Sequence, residues 1–213
     1  MSPQQQFADY LATCPIIAIL RGIEPAEVVS VGRALVEAGV RIIEIPLNSP
    51  EPFESIERLA DDAGQSALIG AGTVLNVADV ERVRRAGGQL VVSPNTNPEI
   101  IAATVAGQMV SVPGYFTPTE AFAAINAGAH AIKLFPAEAA TPAIVKAQRA
   151  VLPTNIPLLV VGGVQPTDVG DWLSAGANGF GLGGAIYRPG RSAQQVHDQA
   201  IAFIDALVTG ATA

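Results

Sequence analysis

The sequence predicts a (β/α)8 barrel of the TIM type with an extra N-terminal helix. Three observations carry this: short apolar runs recur at a steady spacing, glycine closes the helix-sized stretches between them, and prolines fall where the next helices begin. The runs are Ile16–Leu20, Ile42–Ile45, Ala67–Ile69, Leu90–Ser93, Met109–Val112, Ala131–Phe135, Leu158–Val161 and Gly179–Leu182. They start 19 to 27 residues apart, room for one strand, one helix and two loops each time. Short strands that are nearly all apolar suit a parallel sheet buried on both faces.

The stretches between the runs read as helices with marked ends. Gly39, Gly64, Gly87, Gly107, Gly128 and Gly176 stand where a left-handed residue would end a helix. Pro25, Pro98, Pro118, Pro142 and Pro166 stand where a first helical turn can do without an N–H. A further helix is expected over 4–12. An open doubly wound sheet is the alternative, but Arg21-Gly22-Ile23-Glu24 after the first strand is no dinucleotide-binding turn. Gly70-Ala71-Gly72 also lacks the third glycine of that fingerprint.

Composition limits the function classes. At 213 residues, 49% hydrophobic and 15% charged, the chain is expected to form one domain over 1–213. Its apolar runs are interrupted too often for a membrane helix, and its start lacks the pattern of a signal peptide, so a cytoplasmic protein is expected. The single cysteine, Cys14, and two distant histidines, His130 and His197, argue against a Cys/His metal site. A net charge of −7 argues against nucleic acid, yet leaves open a phosphorylated small molecule held by backbone N–H groups. Cys14 and Trp172 read as packing residues, His130 as lying at the end opposite the barrel mouth, and Arg82, Arg84 and Arg85 as a solvated helix face.

In a barrel, strand C-termini and the loops after them form the mouth. The polar residues there are Arg21, Glu44, Asn48, Thr73, Asn95, Lys133 and Glu138. Two of them lie inside apolar strands. Lys133 is one of only two lysines, and burial would lower its pKa and make the amine nucleophilic. The competing reading is a lysine that snorkels to solvent or is paired structurally. Glu44, in Ile42-Ile43-Glu44-Ile45-Pro46, reads either as an acid/base or as half of a structural ion pair. An amine and a carboxylate at the same end of the second and sixth strands together favour imine chemistry. Glycines 162–163 and 183–184 follow the seventh and eighth strands, the recurrent phosphate site of this architecture. Tight turns alone would explain either loop singly.

The chain resembles the 2-keto-3-deoxy-6-phosphogluconate and 6-phosphogalactonate aldolases from about Ile16 to the last helix. The shared motifs are Ile-Leu-Arg-Gly at 19–22, Glu-Ile-Pro-Leu-Asn-Ser-Pro at 44–50, Gly-Ala-Gly-Thr-Val-Leu at 70–75 and Ser-Pro-Asn at 93–95. Pro-Gly at 113–114, Lys-Leu-Phe-Pro-Ala-Glu at 133–138 and Val-Gly-Gly-Val at 161–164 complete them. The resemblance implies Lys133 as the Schiff-base lysine and Glu44 as its acid/base. It implies Thr73, Pro94 and Phe135 around the pyruvyl group, and Gly162, Gly163, Gly183 and Gly184 around phosphate. Asn48 replaces the carboxylate-binding arginine of the gluconate type, which leaves Arg21 as the substitute cation. Val161 resembles the galactonate type, where the gluconate type tends to have Thr. Gly184 departs from a common Ser, so a hydroxyl contact to phosphate is lost.

The implied reaction is class I cleavage of 2-dehydro-3-deoxy-6-phosphogalactonate to pyruvate and glyceraldehyde 3-phosphate, without metal or cofactor, by a homotrimer. The alternatives are gluconate-type specificity, a phosphosugar isomerase or epimerase on the same barrel, and a non-catalytic phosphate-ligand binding protein.

Overall fold

Strand alternation decides which side chains enter the barrel. The computed structural model describes residues 1–210. In chain order the elements are α1 (Pro3–Thr13), β1 (Ile16–Ile19), α2 (Val28–Ala38), β2 (Ile42–Pro46), α3 (Pro52–Ala63), β3 (Leu68–Gly72), α4 (Val77–Arg85), β4 (Leu90–Val92) and α5 (Pro98–Ala106). They continue with β5 (Val110–Val112), β6 (Gly114–Tyr115), α6 (Pro118–Asn126), β7 (Ile132–Leu134), α7 (Pro142–Arg149), β8 (Leu158–Val161), α8 (Val169–Ser174), β9 (Gly179–Leu182) and α9 (Ala193–Gly210). The paired segments are parallel, in the order β5-β4-β3-β2-β1-β9-β8-β7-β6.

The eight expected strands are present, and a short segment that was not expected, β6, extends the fifth stave beyond its expected end at Val112. Pro113 has no N–H to donate and interrupts the run between β5 and β6. The interrupted stave still bonds on both sides. β5 pairs with β4, while Ser111 O accepts from His130 N at 3.0 Å and Pro113 O from Lys133 N at 2.9 Å. Those bonds close the cylinder.

With a period of two, Ile17, Ile42, Leu68, Leu90, Val110, Ala131 and Leu159 fill the interior and pack with Phe7 and Leu11 of α1. The N-terminal helix therefore plugs the end where the strands start, the place for a side chain such as Phe7 to gain ~1.5–3 kcal/mol from burial. The alternate residues, such as Ile16, Ile43, Ile69 and Val91, pack outward in a second apolar layer shared with helix residues such as Val31, Leu35 and Leu59.

Helix ends follow the expected chemistry with exceptions. Gly39, Gly87, Gly128 and Gly176 are left-handed, whereas Gly64 (φ −61°) and Gly107 (φ −75°) are not. After α3 the chain continues in a right-handed turn, and after α5 it is Gln108 that takes φ 58°. Pro98, Pro118 and Pro142 begin helices, Pro166 begins a short 3-10 turn, and Pro25 lies ahead of α2. Among the described residues no helix is long and apolar enough to cross a membrane.

Candidate active site

Two residues beyond Ile42 on β2 and Ala131 before β7, the same alternation turns Glu44 and Lys133 inward. Both are nearly sealed, at 2% and 7% exposure. Among the described residues no ion pair within 4.0 Å joins them to each other or to an arginine. Glu44 Oε2 also lacks a hydrogen-bond partner. The structural ion pair is thereby set aside, and so is a lysine reaching for solvent.

Each group still feels the other. Burial raises the pKa of Glu44, against the pull of the Lys133 and Arg21 cations. Burial lowers the pKa of Lys133, opposed by Glu44 and reinforced by Arg21. Desolvation is the largest cause for both, so the site raises the share of uncharged amine beside a carboxyl group able to take and return a proton. Lys133 Nζ lies 5.0 Å from the centroid of the Phe135 ring.

The neighbouring strand makes room for the carboxylate. A methyl group on Gly72, at the end of β3, would overlap the Glu44 carboxyl atoms. Thr73 follows with φ 56°, a left-handed conformation that costs a β-branched residue on the order of 1–3 kcal/mol. After β1, Arg21 Nη1 donates to Asn48 Oδ1 at 2.6 Å, and Gly22 N donates to Ser49 Oγ at 2.9 Å. These bonds tie together the loops after β1 and β2, with Ser49 buried.

A cavity of about 440 Å³ opens beside Phe135 and runs to the loops after β8 and β9. Its wall includes Arg21, Glu138, Val161, Gly162, Gly163, Gly183, Gly184, Arg188 and Arg191. Gly162 (φ 115°) and Gly163 (φ 68°) turn through a region that side chains disfavour. After β9, Ile186 N and Tyr187 N both donate to Gly183 O at 2.9 Å, forming one helical turn. First-turn N–H groups of this kind suit an anion. Tyr187, buried, bonds through its hydroxyl to Glu27 and fixes this loop to the segment before α2.

The structure thus brings Arg21, Phe135, Val161, Gly162, Gly163, Gly183 and Gly184 onto one cavity, with Lys133 adjoining through Phe135. Asn48 reaches it through Arg21. Thr73 and Pro94 follow β3 and β4, half-buried, and are not part of this cavity's wall. Sequence reasoning missed Arg188 and Arg191 as cavity cations. Their position four and seven residues beyond Gly184 was the available signal. It also missed Gly72 as the space for Glu44, while Glu138, expected at the mouth without a role, lies on the cavity wall.

The bland assignments fit the fold. Cys14 and Trp172 are buried, and His130 Nδ1 accepts from Ser111 N at 3.1 Å at the start of β7. Arg82, Arg84 and Arg85 pair with Asp79 and Glu81 along α4.

Comparison with known proteins adds family evidence to this geometry. The family model "KDPG and KHG aldolase" matches residues 8–204. The probable 2-dehydro-3-deoxy-6-phosphogalactonate aldolase of Rhizobium meliloti (strain 1021) is 50% identical over 90% of this chain and 91% of its own. The 2-dehydro-3-deoxy-6-phosphogalactonate aldolase of Escherichia coli (strain K12) is 47% identical over 90% of this chain and 94% of its own. A solved structure described as "Native KDPGal structure" superposes with a TM-score of 0.92, at 45% identity, covering 93% of this chain and 97% of the other.

Proposed function

Because the chain belongs to the KDPG and KHG aldolase family, we propose that it cleaves 2-dehydro-3-deoxy-6-phosphogalactonate through a Schiff base on Lys133. The observation that carries the reading is the sealed, unpaired couple of Lys133 and Glu44 at the barrel mouth.

Neutral Lys133 adds to the C2 ketone to give a carbinolamine. Glu44, protonated at the carboxyl that burial favours, donates the proton with which water leaves, and the iminium forms. The iminium is the electron sink for the next step. The C3–C4 bond breaks, its electrons form an enamine, and the C4 hydroxyl gives up its proton through water to Glu44. Glyceraldehyde 3-phosphate leaves, C3 of the enamine is protonated, and water hydrolyses the imine to pyruvate and the free amine. Arg21, oriented by Asn48, takes the substrate carboxylate, and Thr73, Pro94 and Phe135 shape the pyruvyl pocket. The loops at Gly162–Gly163 and Gly183–Gly184, with Arg188 and Arg191 beside them, hold the phosphate.

Val161 in place of Thr supports the galactonate epimer over the gluconate one, as do the names of the relatives near 50% identity. A phosphorylated sugar-acid substrate, itself an intracellular metabolite class, supports a cytoplasmic location. Large apolar side chains left exposed after β3 and β6, Leu75, Phe116 and Phe122, support self-association. The family resemblance makes the assembly a homotrimer, which sedimentation equilibrium tests. For the chemistry, borohydride with pyruvate should leave a three-carbon adduct on Lys133. Turnover with Lys133 unmodified would point to an isomerase or epimerase instead. Cleavage of the two epimeric phosphosugar acids, compared side by side, tests the specificity.

A further inference from the structure

One charged group on the cavity wall has no part in the mechanism above. The charged residues lining the cavity are Arg21, Arg188, Arg191 and Glu138. The first three suit an anionic substrate, and the fourth opposes it. Glu138 sits in the short 3-10 turn Ala137–Ala139, five residues past Lys133. It is exposed, yet its side chain folds back onto the loop after β8. A methyl group on Gly162 would overlap its Oε2, and one on Gly163 would collide with its Cγ. Among the described residues its carboxyl oxygens make no ion pair with the cavity arginines.

A carboxylate can only accept hydrogen bonds when ionised, and it repels phosphate. Its natural ligand is therefore a neutral donor rather than the phosphate itself. On the proposed reading, a substrate fixed at C2 by Lys133 and at phosphate by the glycine loops carries hydroxyl donors between the two ends, at C4 and C5. The C4 hydroxyl lies beside the bond that breaks. The C5 hydroxyl is next to the phosphorylated carbon, and Glu138 meets the two glycines, Gly162 and Gly163, assigned above to that phosphate. We propose that Glu138 is a specificity-determining residue whose carboxylate accepts a hydrogen bond from the C5 hydroxyl, the hydroxyl retained by the leaving aldehyde. This rests on the Schiff-base aldolase reading and adds to it a reader of the aldehyde half.

The test runs the reaction in the direction of synthesis, adding pyruvate to either D-glyceraldehyde 3-phosphate or 3-oxopropyl phosphate, the same aldehyde without the hydroxyl. Glu138→Ala should lower kcat/KM for the hydroxylated aldehyde by about 10- to 100-fold, the range for a hydrogen bond to a charged group, and much less for the other. The preference for the hydroxylated aldehyde collapses. Glu138→Gln, which keeps the volume and one acceptor oxygen, should give an intermediate preference and decides the matter if the alanine variant does not fold. An unchanged ratio between the two aldehydes, whether both rates fall together or neither falls, overturns the assignment. Borohydride trapping of pyruvate separates this from the parent reading. An untrapped wild-type Lys133 overturns the Schiff base, and a trapped one with an unchanged aldehyde ratio overturns only the role of Glu138.

Discussion

Replacing Glu44 with Gln keeps the shape of the side chain and removes its titration, with two consequences that seem opposed. Turnover should fall by about 10²- to 10⁴-fold, the usual contribution of a positioned acid/base. Lys133 should nevertheless lose its proton more easily. Burial and the Arg21 cation hold its pKa down, and Glu44 is the cause that works upward, so deleting the anion leaves the downward causes unopposed. The separation sets the scale. The pair lies beyond 4.0 Å, and at about 4 Å with an effective dielectric near 20 the attraction is about 4 kcal/mol. That is a ceiling of about three pH units, at about 1.4 kcal/mol each. Burial also holds part of the Glu44 population protonated, so the expected fall is on the order of one unit.

The assay is the pH profile of pyruvate trapping by borohydride at Lys133, each variant normalised to its own plateau. The reactive neutral amine grows as pH rises through the lysine pKa, so a lowered pKa moves the midpoint to more acid pH. A midpoint that stays in place, or moves alkaline, would refute the shared electrostatic field of the two groups.

Three further outcomes follow from the same geometry. Gly72→Ala puts a methyl group into the Glu44 carboxylate, so kcat should drop at least about 10-fold and stability by about 1–3 kcal/mol, read by turnover and urea melts. Retained activity would mean that Glu44 need not hold its place. Arg188→Ala removes a cavity cation whose Nε donates to Gly184 O at 2.8 Å. The KM for phosphorylated substrate should rise roughly 3- to 10-fold with little change in kcat, as for a partly solvated charge contact. A kcat effect alone would take Arg188 out of phosphate binding. Val161→Thr should shift the ratio of kcat/KM toward the phosphogluconate epimer by about 1–3 kcal/mol, and a constant ratio removes Val161 from the specificity argument.

Much of the barrel was legible because its signals are local. The apolar runs, the prolines at helix starts and the glycines after helices each act over a few residues. Strands such as Leu158–Val161 and Gly179–Leu182 accordingly fall within the predicted bounds. The continuation past Pro113 was not legible, since a two-residue strand, Gly114–Tyr115, has no apolar run of its own and is defined only by its pairing with β7. Gly64 and Gly107 show the same limit. Glycine permits the left-handed turn without requiring it, and the following chain decides. Of the site, Lys133 and Glu44 stood out as charges inside apolar strands. Glu138 stood among the polar residues after the strands, though with no role. Gly72 and Arg188 gave no comparable signal, because their roles depend on groups brought close by folding rather than by sequence.

By itself, the sequence determined the strand rhythm, the placement of residues 44 and 133 inside apolar strands at the same end, and the family motifs that tie those residues to imine chemistry. These follow from spacing and from residue type, both written along the chain. Only the tertiary structure decided that Glu44 and Lys133 are sealed without pairing, that Gly72 yields its space to a carboxylate, and that Glu138 bends onto the glycines after β8. Burial and proximity between distant segments exist only once the cylinder has closed. Desolvation, the largest cause of both pKa shifts, is therefore a property of the closed barrel and of no single strand.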